Sequence, residues 1–484
     1  MLNLNDPSLL KQQCLINGEW CNADNGETFP VTNPATGEII AHVPKMGATE
    51  TQRAIDAAER AWPAWRSKTA KERAAVLRKW YELIAANIDD LALILTSEQG
   101  KPLTEAKGEL MSGAGYMEWF AEEAKRVYGE TIPSPWADKR IMTLRQPIGV
   151  AAAITPWNFP HSMIPRKAGP ALAVGCPMIL KPASQTPLSA LALGELAQRA
   201  GVPAGIFSVL TGSARAIGDA LCASDTVRKL SFTGSTEVGR QLAANCAPTL
   251  KKLSLELGGN APFIVFDDAD IDAAVEGAIA SKFRNAGQTC VCANRLYVQS
   301  GIYDTFVEKL AAAVAKLKIG NGTDAGTQIG PMIDANAVLK VEEHLQDAIA
   351  KGGKVVQGGK RHALGGTFFE PTVVSGVTPA MKVAKEETFG PLAPVFKFET
   401  EAEVIAYAND TEYGLASYFF AKDLGRVFRV AEALEYGMVG VNTGLITTEV
   451  APFGGVKHSG LGREGARQGM DEYLETKYVC LSGV

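Results

Sequence analysis

One recurring pattern between Val150 and Gly239 constrains the fold more than any other feature of this 484-residue sequence. Short apolar runs end in Pro, Thr, Gly or Ser, and an amphipathic stretch follows each of them, as in RKLSFTGS followed by TEVGRQLAANC. Strand, turn and helix therefore repeat along the chain. Such repetition predicts parallel βαβ units and a doubly wound sheet with helices on both faces.

The regions on either side of this block carry other periodicities. Ala, Leu and Trp recur at three- and four-residue spacing over residues 48–128, which predicts a helical scaffold. Further along, DIDAAVEGAIASKF predicts a helix that begins after the capping side chain of Asp270 and leads the chain to GQTC. The tail DEYLETKYVCL alternates like a strand, and we expect it to need a strand partner.

Composition restricts the classes of function. An apolar content of 46% and a mean hydropathy near zero fit a packed soluble protein of two or three domains. The net charge of −5 comes from well-mixed acids and bases, so neither nucleic acid nor a membrane surface is an expected partner. The first residues do not resemble a signal peptide, and no apolar run is long enough to span a bilayer. We therefore expect a cytoplasmic protein that binds small molecules.

The segment GQTCVC places Cys290 and Cys292 one residue apart. Eight cysteines at irregular spacing in so long a chain do not indicate a disulfide framework, so reduced thiols are expected. A metal site is not predicted, because the C-x-C spacing has neither a second cysteine pair nor a nearby histidine. A nucleophile and a small buried hydrophobic residue both remain open for Cys290 at this point.

Two other side chains lie in unusual surroundings. Glu256 interrupts the apolar strand LELGG, where a carboxylate must be paired, protonated or functional unless the other face of the strand is wet. Asn158 lies between two prolines and two aromatic residues in TPWNFP, which stiffen the backbone around its amide; an ordinary turn asparagine is the alternative. Two Thr-Gly-Ser turns, at 211–213 and 233–235, stand where a strand leads into a helix N-terminus that could bind phosphate, although a tight βα turn would look the same.

Seven motifs in series together resemble the aldehyde dehydrogenase superfamily over nearly the whole chain: PWNFP, ILKPA, FTGSTEVG, LELGGN, GQTC, EETFGP and PFGGVKHSGLGRE. The resemblance implies that Cys290 is the nucleophile, that Glu256 is the general base and that the Asn158 amide completes an oxyanion hole. It also implies that Lys167, which could supply positive charge to the thiol, and Glu464 lie close to the active site. In that chemistry a thiolate adds to an aldehyde carbon, hydride leaves to a nicotinamide, and water hydrolyses the resulting thioester.

The resemblance also implies a cofactor site. Lys181 would reach the adenosine ribose, and Ser184 stands where family members that prefer NAD often carry glutamate. A serine there can accommodate a 2′-phosphate, so NADP is the expected cofactor and NAD the weaker alternative. Ser235 would meet the pyrophosphate and Glu387 the nicotinamide ribose. The other implied cofactor positions are Thr155, Trp157, Gly212, Thr233, Gly234, Val238, Leu257 and Phe389.

Substrate choice rests on two arginines. Arg166 and Arg284 resemble the pair with which succinate-semialdehyde dehydrogenases clamp the substrate carboxylate, although a single arginine beside a helix end is usually just solvated. Thr447 stands where that group has a serine, and His161 where small residues are common, which leaves room for a five-carbon substrate. The expected reaction is the NADP-dependent oxidation of succinate semialdehyde. The alternatives are glutarate semialdehyde as substrate, a non-redox thioester hydrolase, or a non-catalytic nucleotide-binding protein.

The implied fold is α/β, with three parts. A Rossmann-like cofactor domain would comprise residues 1–127 and 145–255, and an α/β catalytic domain residues 256–443. A small β arm, residues 128–144 and 444–484, would pair across subunits of a dimer or tetramer. Cys292 could oxidise with Cys290 to a strained disulfide that peroxide forms and dithiothreitol reverses, or it could simply be a small packed residue.

Overall fold

The computed structural model describes residues 2–484. Before residue 149 it has two N-terminal hairpins, four consecutive helices and two further strands. The helical scaffold predicted for residues 48–128 is confirmed, with a capping box at Thr69 starting its second helix and left-handed Gly100 ending its third. The elements are β1 (Cys14–Ile16), β2 (Glu19–Cys21), β3 (Thr28–Thr32), β4 (Ile39–Pro44), α1 (Ala48–Ser67), α2 (Ala70–Ala86), α3 (Ile88–Gln99), α4 (Leu103–Glu123), β5 (Thr131–Ile132) and β6 (Lys139–Pro147).

The predicted βαβ repetition is confirmed in the middle of the chain. Both Thr-Gly-Ser turns lead from a strand into a helix, and Ser213 and Ser235 cap those helices by accepting backbone N–H groups. The elements are β7 (Val150–Ile154), α5 (Pro165–Val174), β8 (Met178–Lys181), α6 (Leu188–Ala200), β9 (Phe207–Val209), α7 (Ala214–Ala223), β10 (Val227–Thr233), α8 (Thr236–Cys246) and β11 (Lys252–Glu256).

The first sheet is a doubly wound sheet. Its parallel strands run in the order β9–β8–β7–β10–β11, so the direction of winding reverses between β7 and β10. Such a reversal opens a crevice at the carboxyl ends of the strands, where nucleotides bind in folds of this class. Alternate residues of β7 enter two different hydrophobic clusters, Ala151 and Ala153 one of them and Val150 and Ala152 the other, so helices cover both faces.

A second sheet follows, in the order β14–β15–β16–β13–β12–β17–β18, parallel except for its edge strand β14. Asp270 caps α9, as predicted. The elements are β12 (Ala261–Val265), α9 (Ile271–Lys282), β13 (Ala293–Gln299), α10 (Tyr303–Val314), α11 (Ala335–Ala350), β14 (Lys354–Gln357), β15 (Thr372–Val377), α12 (Lys382–Lys385), β16 (Leu392–Phe398), α13 (Glu401–Asn409), β17 (Ala416–Phe420), α14 (Leu424–Ala433), β18 (Met438–Val441), β19 (Gly460–Leu461), α15 (Gln468–Asp471) and β20 (Leu474–Ser482).

The C-terminal strand finds its partner within the same chain. β20 pairs antiparallel with β6 from Leu474 opposite Pro147 to Ser482 opposite Lys139, and β5 completes a three-stranded arm. The sequence predicts that all of residues 444–484 belong to the arm. In the structure, β19 lies within this range and joins the first sheet beside β11. Gly460 makes this possible, since a Cβ there would lie 1.8 Å from the Leu255 carbonyl oxygen. Two residues are too few to leave a strand pattern in the sequence.

The glycines at positions 258 and 259 connect the two sheets. β11 ends at Glu256 and β12 begins at Ala261, so only four residues separate strands of different sheets. A Cβ on Gly259 would lie 2.5 Å from the Cys290 carbonyl oxygen, so the GQTC segment packs directly on this link. From Leu2 to Val484, no helix combines the length and the hydropathy needed to cross a bilayer.

Candidate active site

Cys290 lies where two cavities of about 290 and 370 Å³ meet. It follows α9 through a tight turn in which Asn285 and Ala286 have left-handed backbones, with φ of 52° and 53°. Gly287 is required in the same turn, because a Cβ would lie 2.2 Å from the Gly390 carbonyl oxygen. The turn after α9 therefore places the Cys290 thiol at the boundary between the two cavities.

Asn158 packs directly against this turn. Its side-chain amide donates to the Gln288 carbonyl oxygen at 3.0 Å. The main-chain carbonyl oxygen of Asn158 accepts from Asn285 Nδ2 at 2.9 Å. An amide nitrogen carries two hydrogens, so one N–H remains for another acceptor. Because Asn158 and Cys290 both line the 370 Å³ cavity, an oxyanion formed at the sulfur would lie within the same enclosure as that donor.

Glu256, the last residue of β11, is a buried carboxylate. Within the described part of the chain, its Oε2 has no hydrogen-bond partner. Burial raises the pKa of Glu256 well above its ordinary value, and the nearby Glu464 raises it further, while Lys167 and Arg166 oppose the shift. A carboxyl group with a raised pKa is a stronger base once it ionises, which suits it to take a proton from water.

Lys167 lies close to Glu256, and its charge opposes the rise in the pKa of Glu256. Its ammonium contacts Glu464 and donates to Ser231 Oγ at 3.0 Å, so its charge is already compensated. The positive charges that lower the pKa of Cys290 most are those of Arg166 and Arg284. A contribution of Lys167 to the ionisation of the thiol stays a prediction.

Burial dominates the ionisation of the two cysteines. It raises the pKa of Cys290 to about 12, and the charge of Glu387 adds to the effect. Burial also raises the pKa of Cys292, whose Sγ lies 3.4 Å from the Lys282 carbonyl oxygen as a donor. Both cysteines are free thiols in the structure. The proposed Cys290–Cys292 disulfide stays a prediction.

The 370 Å³ cavity gathers seven of the residues expected to bind cofactor. Trp157 and Phe389 meet edge to face, with ring centroids 5.5 Å apart, and Glu387 accepts the Gly259 N–H at 3.2 Å. Burial raises the pKa of Glu387 to about 7. The expected residues that line this cavity are Trp157, Thr233, Gly234, Ser235, Leu257, Glu387 and Phe389, and the lining residues that sequence reasoning missed include Asn336, Ala337, Lys340 and Thr388.

The other five expected cofactor positions lie outside this cavity. Thr155 directly follows β7, and Lys181 is the last residue of the adjacent strand β8. The Thr155 N–H donates to the Lys181 carbonyl oxygen. Ser184 is half-buried in the turn after β8, and Val238 is exposed in the first turn of α8. Gly212 packs on Met46 instead of lining the cavity, and a Cβ there would lie 2.2 Å from the Met46 carbonyl oxygen. This close approach of two backbones explains why position 212 is a glycine.

The 290 Å³ cavity brings together Arg166, Arg284, Thr447 and Cys290. Arg166 is buried between the rings of Tyr116 and Phe453, and its Nε and Nη1 have no hydrogen-bond partner among residues 2–484. Arg284 is half-buried above the Phe159 ring. Arg166 Nη1 lies 3.9 Å from Glu464 Oε2, an ion pair too long for a hydrogen bond. Two guanidinium groups thus line the cavity, and they fit an anionic group.

His161 does not line this cavity. Its ring is fully buried against Gly113, and burial lowers its pKa to about 3. The expectation that His161 changes the room for substrate is therefore wrong, because the side chain points into the helical scaffold.

Sequence reasoning missed three charged residues that line the same cavity: Lys101, Glu105 and Glu109. They recur every four residues in a segment that reads as an ordinary amphipathic helix with a solvated charged face. That spacing was the available signal, since it places all three toward one side. Lys101 and Glu109 are buried against residues 158–162, and Glu105 is half-buried against the turn at Asn285.

Comparisons with known proteins agree with this geometry. The family model described as "Aldehyde dehydrogenase family" matches residues 20–479. A glutarate-semialdehyde dehydrogenase of Pseudomonas aeruginosa is 68% identical over 483 residues, covering all of this chain and all of its own. The succinate-semialdehyde dehydrogenase (NADP(+)) of Escherichia coli K12 is 67% identical over 480 residues, covering 99% of this chain and all of its own. The crystal structure of a succinate-semialdehyde dehydrogenase from Burkholderia pseudomallei superposes with a TM-score of 0.99 at 65% identity, covering 99% of each chain.

The raised pKa of Cys290 predicts how the free protein reacts with iodoacetamide. Only the thiolate is alkylated, so the rate at Cys290 should rise about tenfold for each pH unit from 7 to 9, without a plateau. Mass spectrometry of the Cys290 peptide measures this rate, and the Cys290→Ser variant identifies labelling at other cysteines. A plateau below pH 8 would contradict the thiol environment described above.

Proposed function

We propose that this chain, which belongs to the aldehyde dehydrogenase family, oxidises succinate semialdehyde to succinate with NADP as the electron acceptor. The observation that carries the substrate is the pair of arginines, Arg166 and Arg284, in the cavity that ends at Cys290. A guanidinium binds a carboxylate in a forked geometry and so fixes its distance from the nucleophile. A short acid with an aldehyde at its other end then presents that aldehyde to the sulfur.

The five-carbon homologue, glutarate semialdehyde, is the second candidate, because a relative that is 68% identical carries that name. One methylene group is worth about 1–3 kcal/mol of discrimination in an enzyme pocket. Thr447 lines the substrate cavity and keeps a hydroxyl near the proposed carboxylate site. We therefore expect both semialdehydes to be oxidised. Their rates should differ from each other by less than either differs from the rate with an uncharged aldehyde.

The proposed reaction uses three residues in sequence. The Cys290 thiol loses its proton to solvent and its sulfur adds to the aldehyde carbon, while the free Asn158 N–H and the Cys290 backbone N–H stabilise the oxyanion. When bound, a nicotinamide cofactor supplies a hydride acceptor for the carbon attached to sulfur. Glu256 then takes a proton from water, which hydrolyses the thioester and releases the acid.

The residues at the carboxyl edge of the first sheet fit a dinucleotide with an additional phosphate. Lys181 is buried, burial lowers its pKa to about 8, and from residue 2 to residue 484 no carboxylate pairs with it. Ser235 begins α8, whose free N–H groups favour a pyrophosphate, and Glu387 would hold the nicotinamide ribose. Ser184, in place of a carboxylate, leaves the ribose 2′ position open to phosphate, which supports NADP over NAD.

We also infer that the protein acts in the cytoplasm as a homodimer or tetramer. The arm formed by β5, β6 and β20 exposes Ile132, Leu144, Tyr478 and Leu481. A long strand with exposed apolar side chains at the edge of a small sheet is normally covered by another chain. The arm therefore supports assembly with further copies, while the subunit count rests on the family resemblance.

A panel of aldehydes tests the substrate proposal. With NADP, the wild-type protein should oxidise succinate and glutarate semialdehydes much faster than butanal, as followed by NADPH absorbance. Arg284→Leu removes a charge-assisted contact worth about 1.5–3 kcal/mol, so kcat/KM for the semialdehydes should fall about 10- to 150-fold while butanal is unaffected. Arg215→Leu, on the exposed face of α7, is the matched control. No turnover of any aldehyde would leave only hydrolytic or non-catalytic roles.

Replacing Glu256 tests the hydrolytic step separately from hydride transfer. Glu256→Gln lacks the base, so kcat should fall by about 10²–10⁴ while one equivalent of NADPH still forms in a rapid burst. Mass spectrometry should then find one succinyl group on Cys290. Loss of the burst together with the steady-state rate would contradict a role confined to hydrolysis.

Replacing Ser184 tests the cofactor proposal. A carboxylate at this position would repel the 2′-phosphate, so Ser184→Glu should lower kcat/KM for NADP by about tenfold or more and leave that for NAD equal or higher. Ser67→Glu, at the exposed end of α1, serves as the charge-matched control. Equal loss with both cofactors would place Ser184 away from the phosphate.

A further inference from the structure

A buried ion pair lies beside the proposed oxyanion hole. Lys101, just before α4, and Glu109, within it, are 2.6 Å apart from Nζ to Oε2, and each side chain is only 1% exposed. Two buried charges are stable only if further hydrogen bonds replace the water that each has lost. The remaining partners of this pair therefore show what the pair holds in place.

Lys101 makes two hydrogen bonds and one cation–π contact within the protein. Its ammonium donates to Glu109 and, at 2.7 Å, to the main-chain carbonyl oxygen of Asn158, and it lies 3.9 Å from the centroid of the Phe159 ring. Lys101 lines the substrate cavity, but its charge is already paired with that of Glu109. Its other hydrogen bond is to Asn158, whose side chain lines the neighbouring cavity together with Cys290.

Glu109 holds the following residues of the same segment. Its Oε1 accepts the backbone N–H groups of His161 at 2.9 Å and Ser162 at 3.0 Å. The ion pair thus grips residues 158–162 at both ends, by a carbonyl oxygen at one end and by two N–H groups at the other. Hydrogen bonds to ionised groups are about twice as strong as neutral ones, so this grip is stiff.

We propose that Lys101 and Glu109 are positioning residues that hold the Asn158 amide in the orientation required to stabilise the oxyanion. This inference rests on the proposed role of Asn158 in the oxidation. An oxyanion hole works only if its donors are already aligned, because their reorientation during the reaction would consume the stabilisation they provide. The effect of the pair should therefore fall on hydride formation at saturating substrate and not on substrate binding.

The fold supplies a reason why the segment should survive loss of Lys101. The Asn158 carbonyl oxygen also accepts from Asn285 Nδ2 at 2.9 Å, and the Asn158 amide still bonds the Gln288 carbonyl oxygen. Replacement of Lys101 should thus loosen the orientation of Asn158 without leaving its carbonyl unpaired. The role can therefore be measured in a folded protein.

The test compares Lys101→Met in two backgrounds, wild type and Asn158→Ala. In wild type, the burst rate of NADPH formation at saturating succinate semialdehyde should fall about 10- to 100-fold, since a misplaced catalytic group costs up to about 10²-fold, while KM changes less than about threefold. In the Asn158→Ala background, the same change should lower the burst rate by less than about twofold, because no amide remains to be positioned. Lys107→Met, an exposed lysine of α4 that pairs with Asp89, is the matched control and should change neither value.

Each outcome separates this inference from the proposed function. A fall of the burst rate by the same factor in both backgrounds, or a change confined to KM, would overturn the positioning role. Full activity of Asn158→Ala, or no oxidation by wild type, would instead overturn the proposed function. Should Lys101→Met not fold, as judged by its melting temperature, Glu109→Gln replaces it. Glu109→Gln has no charged oxygen with which to accept the two N–H groups. For the proposal to stand, this variant must lower the burst rate in wild type and not in the Asn158→Ala background.

Discussion

Burial of charge around the nucleophile is the constraint on which the rest of the site depends. A buried charge is stable only where an opposite charge and hydrogen bonds take the place of water. Lys101 and Glu109 satisfy this condition within the protein, by their ion pair and by hydrogen bonds to backbone groups. Glu464 pairs with Lys167, but among residues 2–484 one oxygen of Glu464 and one of Glu256 have no hydrogen-bond partner, and the pKa of Glu256 is raised. The well-paired charges hold the segment around Asn158, and an incompletely paired carboxyl group is the one to which the proposed chemistry assigns the role of base.

The contact between two sheets determines what can reach the sulfur. The first sheet ends in Glu256, and a short glycine link passes directly under the carbonyl of Cys290 before the second sheet begins. The nucleophile therefore lies at a boundary with one cavity on each side. The cavity at the carboxyl edge of the doubly wound sheet suits a dinucleotide, and the one beneath α4 suits a short anion. Their separation allows two ligands to meet at one atom without sharing a binding site.

Much of this arrangement could be predicted from the chain itself, because it depends on local signals. The strand and helix periods of residues 150–239, the cap at Asp270 and the alternating tail all correspond to elements of the structure. Other features had no local signal. The strand at Gly460 is two residues long, and Gly212 packs against the backbone of Met46, which lies far away in the sequence. The ion pair of α4 resembled a solvated helix face, because sequence periodicity does not reveal which charged face another segment will cover.

The amino-acid sequence by itself determined the order of the elements, the doubly wound sheet and the candidates for the reactive side chains, since these follow from hydrophobic period, capping and a series of motifs. Only the tertiary structure decided how those side chains are paired. It paired Lys167 with Glu464, removed His161 from the substrate cavity and joined Lys101 to the Asn158 main-chain carbonyl. The physical reason is that pairing depends on distances between segments far apart in the chain and on the loss of water around them, and neither quantity is encoded in any short stretch of sequence.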